Sequence, residues 1–245
     1  MRLPEGDPRA VSLIAVIRRG DVDGLVTQLR AQPALARAVV VDGHGVSRPL
    51  LHIVADWPGH LPNGSALVGA LVAAGADVDA RVSHPGPDGS PETALHWAAS
   101  SDDLAVLDAL LDHGADIEAM GAVLTGGTPM SDAVVFAQWK AARRLLERGA
   151  ATTLWQAAAL GVIDQVQAAC TGAAAAPRAE RTNALWHACR GGQQAVAELL
   201  LDAGADINWI GHAQKTPFDA AQESKKRSFV SWLRARGAKS ASELP

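Results

Sequence analysis

Thr93 to Ala99 reads T-A-L-H-W-A-A, and Leu110 to Asp116 reads L-L-D-H-G-A-D. Each part has a physical reading. A Thr ahead of a short apolar helix caps free N–H groups of its first turn. Small Ala98 and Ala99 let neighbouring helices approach closely. Gly114 after Leu110 and Leu111 reads as a left-handed helix stop. The stretch predicts two short antiparallel helices with one apolar face between them. Such a pair cannot bury that face alone and needs copies of itself on either side.

Copies are present. Upstream, Pro49-Leu50-Leu51-His52-Ile53-Val54-Ala55 opens a pair that ends at Ala74-Gly75-Ala76-Asp77. Downstream, Thr128-Pro129-Met130 opens a pair ending at Arg148-Gly149-Ala150, with its second helix expected over 139–147. Gly75, Gly114 and Gly149 lie 39 and 35 residues apart. Thr152-Thr153-Leu154-Trp155, Asn183-Ala184-Leu185-Trp186 and Thr216-Pro217-Phe218-Asp219 open three more, and Val11 to Leu29 makes a degenerate first pair. Together these segments resemble the ankyrin repeat, whose signature is T-P-L-H-x-A at a period of about 33 residues. The resemblance implies an all-α solenoid of about 6–7 helix-turn-helix units with β-hairpin fingers, some units degenerate. It covers about residues 9 to 240, and the whole chain, residues 1–245, is expected to be one domain. The units fall at residues 9–40, 48–80, 92–120, 127–151, 152–177, 182–210 and 215–241. A finger is expected over 118–127, and none fits between Gly149 and Thr152.

Composition excludes several classes. The formal net charge of −4 argues against a nucleic-acid partner. Cys170 and Cys189 form no metal-binding spacing and read as small buried hydrophobes of a reducing compartment. The polar, Pro-rich start is no signal peptide, and the longest apolar run, 66–76, is broken by Gly69 and Gly75. The expectation is a cytoplasmic protein with no membrane, metal or cofactor partner.

The resemblance implies a concave surface built from first helices and fingers, which in the family usually grips another protein or a peptide. Positions just after the Leu-His pair and after the two small residues face it. Among them Asp56, Trp57, Trp97, Ser100, Ser101, Asp132, Phe136, His187 and Arg190 are the candidate binding residues. Aromatic and Arg side chains carry the largest share of interface energy. Seven Trp, three Phe and no Tyr fit an aromatic-walled groove, but also a stack of helix pairs filled with Trp. The resemblance gives His52 and His96 a structural role, bonding backbone of the next finger. Ser131, Trp155, Trp186 and Asp219 stand at that position in later units, so the ladder is expected to break there.

A second reading makes the groove a small-molecule site or an enzyme. His52 and Asp56 are four apart on one expected helix, and Asp132 and His187 belong to the same expected groove. Those four would be the acid–base groups, with loops 56–64 and 81–91 as covers. The chain carries no H-E-x-x-H, G-x-S-x-G or Walker motif, so the binding module is preferred to the enzyme.

Overall fold

The computed structural model describes residues 1–85 and 89–244, and the chain divides into two compact units, 1–150 and 151–245. Fourteen α-helices are present among the described residues, and they fall into seven pairs.

The first unit holds α1 (Pro8–Arg18), α2 (Val22–Ala31), α3 (Leu50–Ala55), α4 (Gly64–Ala73), α5 (Ala94–Ser100), α6 (Leu104–Asp112), α7 (Pro129–Val135) and α8 (Trp139–Glu147). First helices stack on first helices, α1 on α3, α3 on α5 and α5 on α7. Second helices stack on second helices, α2 on α4, α4 on α6 and α6 on α8. The row forms because each helix is too short to be stable alone and carries one fully buried stripe. Leu67, Val68 and Leu71 form it on α4, and Val106, Leu107 and Leu110 on α6. The glycine stops behave as expected: Gly75, Gly114 and Gly149 have φ of +97°, +87° and +95°, the left-handed region that glycine enters without strain.

The first unit also contains a small sheet that the sequence pattern does not announce. β1 (Arg2–Pro4) pairs parallel with β2 (Val39–Val41), which pairs antiparallel with β3 (Ser47–Pro49). Three-residue strands are too short to show alternation, although Leu3 and Val40 are both buried at their centres. The finger expected over 118–127 is a turn rather than paired strands. Gly121 and Ala122 N–H groups both reach the Gly127 carbonyl, at 2.8 and 2.9 Å, and Gly126 N–H reaches Ala122 O at 2.7 Å. Gly121, Gly126 and Gly127 leave too few side chains to hold a strand pair.

The second unit holds α9 (Leu154–Leu160), α10 (Ile163–Cys170), α11 (Arg178–Arg190), α12 (Gln194–Asp202), α13 (Pro217–Glu223) and α14 (Arg227–Ala235). α9, α11 and α13 again stack in a row, and α10 packs on α12. Val166, Leu185, Cys189, Leu200, Phe229 and Leu233 share one core. Two boundaries differ from expectation. α11 starts at Arg178, not near Asn183, because Pro177 precedes a run of strong helix formers with Glu180 in the first turn. The fifth pair is shifted by one residue. Its cap is Thr153, closed by Gln156, so Gln156 and not Trp155 holds the ladder position. Among the described residues no helix is long and apolar enough to cross a membrane.

Candidate functional site

In α5 the Thr93 N–H and hydroxyl both reach His96 Nδ1, at 3.1 and 2.9 Å. That leaves the proton on Nε2, which donates to Gly127 O at 3.3 Å. His52 Nε2 donates to Glu92 O at 3.0 Å. Both imidazoles are fully buried, and burial pulls their pKa down to about 4, so they are neutral near pH 7. Each bonds the carbonyl just ahead of the next Thr. The structural role expected of them is what the geometry shows. The ladder does not stop where the histidines do: Trp186 takes the same position and its Nε1–H donates to Lys215 O, just ahead of Thr216, at 2.9 Å. An indole N–H supplies the donor that an imidazole supplies elsewhere.

By holding Glu92 O, His52 fixes the entry to α5 and brings the Glu92 side chain to a cavity of about 230 Å³ in the first unit. Six residues expected at the groove line it together: Asp56, Trp57, Trp97, Ser100, Ser101 and Phe136. Glu92 and Val123 complete the lining. Trp57 is 81% exposed and Phe136 41%, so the cavity is rimmed by wet aromatic surface. Trp97 is half-buried, lies edge-on to His52 at 5.0 Å, and its Nε1–H donates to Glu92 Oε2 at 3.1 Å. Ser100 Oγ turns back to Trp97 O at 2.9 Å, and Gln138 Nε2 holds Ser100 O at 2.9 Å.

Asp132 stands behind this lining. It is 1% exposed and lies against the Glu92 carboxyl. Burial, and then the neighbouring Glu92 charge, push its pKa up to about 8. Burial raises that of Glu92 as well. The two carboxyls therefore hold one proton between them near pH 7, since like charges this close in a dry site do not both ionise. Glu92 lies outside both kinds of groove position, after the Leu-His pair and after the two small residues. The signal that marks it is its place just ahead of the Thr cap, where the ladder carbonyl lies.

His52 and Asp56, expected on one helix as acid–base groups, do not share one. Asp56 falls one residue past α3, in extended backbone, so the four-residue helical spacing to His52 does not apply. Its carboxylate lies 4.0 Å from Arg48, and His52 is sealed from solvent. Asp132 and His187 belong to different units, and both are buried. The loop 56–64 is fastened: His60 N–H bonds Asp103 Oδ2 at 2.6 Å and Asn63 Nδ2 bonds Gly20 O at 3.0 Å. The other expected cover, 81–91, includes residues 86–88, which lie outside the described residues.

In the second unit His187 sits in an aromatic cluster. Its ring centroid is 4.6 Å from Trp155, 5.0 Å from Trp186 and 5.2 Å from His212. Its Nδ1 is buried without a partner, and burial draws its pKa down to about 3. Arg190 bonds Glu223 Oε2 at 2.9 Å and its guanidinium lies 5.9 Å from the Trp186 ring. A further cavity of about 250 Å³ lies in the first unit, between Ala36–Val39, Pro49–Leu51 and Ala76–Ala80, and contains no aromatic side chain.

Comparison with known proteins bears on the family. A family model described as ankyrin repeats, in three copies, matches residues 51–155, and one described as an ankyrin repeat matches residues 181–212. Among solved structures the chain is similar to the human ASB11 ankyrin repeat domain. Identity is 21%, over 90% of this chain and 96% of that one, with a TM-score of 0.51. No curated protein matches.

Proposed function

The chain belongs to the ankyrin repeat family, and from that premise we propose that it is a protein-binding module whose contact surface in the first unit is the cavity between Trp57, Trp97 and Phe136. Ankyrin repeats are in general protein–protein interaction modules. What supports this placement is one observation: Trp57 leaves 81% of its surface in water beside a cavity that two other aromatics line. A wet Trp at a preformed recess is the composition of an interface hot spot, where one truncation often costs at least about 2 kcal/mol. The cavity volume favours a side chain over a free small molecule. At about 230 Å³ it falls below the roughly 300–1,000 Å³ of drug-sized pockets. The partner is a protein or peptide that inserts one residue there and spreads over the rim.

The test is capture of partners on the immobilised chain, wild type against Trp57→Ala/Phe136→Ala, with circular dichroism to show that both are folded. Both residues are exposed, so the double variant keeps its fold. Partners held by the wild type should drop by at least about tenfold. Undiminished capture by the folded variant would remove the surface from consideration.

A further inference from the structure

The cavity has a charge character as well as a shape, and the two together specify what enters it. Its walls are aromatic: Trp57, Trp97 and Phe136. Its polar side is acidic: Asp56 and Glu92 line it, and Asp132 stands behind Glu92. One Glu92 oxygen is taken by the Trp97 indole N–H, which orients the carboxylate and leaves its negative charge unneutralised. The Asp132 carboxyl, fully buried against Glu92, adds a second acidic group to the same wall. Two basic groups face these carboxyls among the described residues: His84, whose charge acts on Glu92, and Arg48, which is shared between Asp42, at 3.4 Å, and Asp56, at 4.0 Å. An apolar partner residue would strand this charge away from water. An acidic one would be repelled by it. A cation gains twice, from the carboxylate and from the faces of the Trp rings.

We propose that the cavity receives a basic side chain of the partner, a lysine or arginine, with its stem against Trp57 and Phe136 and its charge directed at Glu92. The inference rests on the binding surface proposed above and adds the chemistry of the residue that fills it. Asp132 shares a proton with Glu92 and so sets how much negative charge the pair carries.

The probes are three capped pentapeptides, Gly-Gly-X-Gly-Gly, with X as lysine, arginine or norleucine. The readout is the indole N–H resonances of Trp57 and Trp97, assigned by Trp→Phe variants. The lysine and arginine peptides should move both resonances saturably, and norleucine, the uncharged isostere of the lysine stem, should bind at least about tenfold more weakly. Glu92→Gln keeps an acceptor for the Trp97 N–H and removes the charge, so it should erase the preference for basic peptides. Asp132→Asn should leave binding near pH 7 within about twofold, because the pair already holds one proton there. Equal binding of norleucine, an unchanged preference in Glu92→Gln, or no movement by any of the peptides would overturn the inference. These outcomes are separable from failure of the surface itself. If the peptides do not discriminate while Trp57→Ala/Phe136→Ala still loses its partner, the surface stands and the cation falls.

Discussion

The two units carry the same pair of rings in opposite order. In α5 the sequence runs Leu95-His96-Trp97, and in α11 it runs Leu185-Trp186-His187. With His first, the imidazole is buried in the ladder and the indole turns outward to line a cavity, held by Glu92. With Trp first, the indole is drawn into the ladder at 4% exposure and the imidazole is packed against Trp155 and His212 with a bare Nδ1. Inverting two residues thus decides whether the larger ring serves packing or faces a recess. The ladder position asks only for an N–H aimed at the next carbonyl. The ring left over takes the next position, where its neighbours set its exposure: Trp97 is half-buried and His187 is buried.

That contrast breaks most visibly at Trp186. Trp186→Ala removes a buried ring and one of the two donors to Lys215 O, leaving only the Gly211 N–H. The second unit should lose about 3–5 kcal/mol, the usual cost of truncating a buried aromatic. Denaturant unfolding followed by circular dichroism reads this directly, and a loss under about 1 kcal/mol would mean that the ring is not part of the ladder. Trp186→His should recover part of the loss, since imidazole does this task in α3 and α5.

The electrostatics of the two places differ in sign, which gives the next effect. His52 and His96 in the first unit and His187 in the second are buried neutral, with pKa values lowered to about 4, 4 and 3. Their contribution is full above the unfolded value, roughly 6.5, and is lost as pH falls through the folded values. Both units therefore weaken in acid. Asp132 works the other way and exists only in the first unit. Its pKa is raised to about 8, so the folded state holds a proton that the unfolded chain has released since about pH 4. Its share of stability is complete below that point and is lost as pH rises through about 8. Asp132→Asn removes this dependence. Relative to wild type it should gain on the order of 2 kcal/mol between about pH 5 and pH 9, since a tenfold change in proton affinity is worth about 1.4 kcal/mol and the Glu92 charge shares part of the effect. Parallel stability curves for the two proteins would show that Asp132 is already ionised in the fold.

How far the sequence told this in advance follows from what each signal is made of. Helix pairs were legible because their periodicity and glycine stops repeat. The second helix of the fourth unit falls where the spacing puts it, at Trp139–Glu147. The sheet at Arg2–Pro4 was not, because three residues carry no pattern and its partner lies far along the chain. The fifth unit was misaligned because Thr152 and Thr153 both fit a cap, and only the bond to Gln156 separates them. Six cavity residues were legible from their places after the Leu-His pair or after the two small residues. Glu92 and Val123 were not, because they enter from the segment ahead of the cap and from a finger whose path depends on its glycines. Burial of Asp132 and His187 was equally hidden, since sequence position gives a direction and not what is packed against it.

The smallest effect is the most pointed. Trp57 follows α3 in a loop pinned by His60 and Asn63, neither of which involves its ring. If the ring serves a partner and not the fold, Trp57→Ala should change stability by no more than about 0.5 kcal/mol, the range of surface substitutions. The same variant should lose the tryptophan fluorescence most open to acrylamide, because the other indoles that line or pack the two aromatic sites, Trp97, Trp155, Trp186 and Trp209, are all at least half-buried. A stability loss of about 2 kcal/mol or more would place the ring inside the packing of the first unit. The distinction between a ladder Trp and a presented Trp would then disappear. A silent change in stability with a large change in quenching leaves a large apolar side chain held in water at no benefit to the fold, which is the physical mark of a group kept for something outside it.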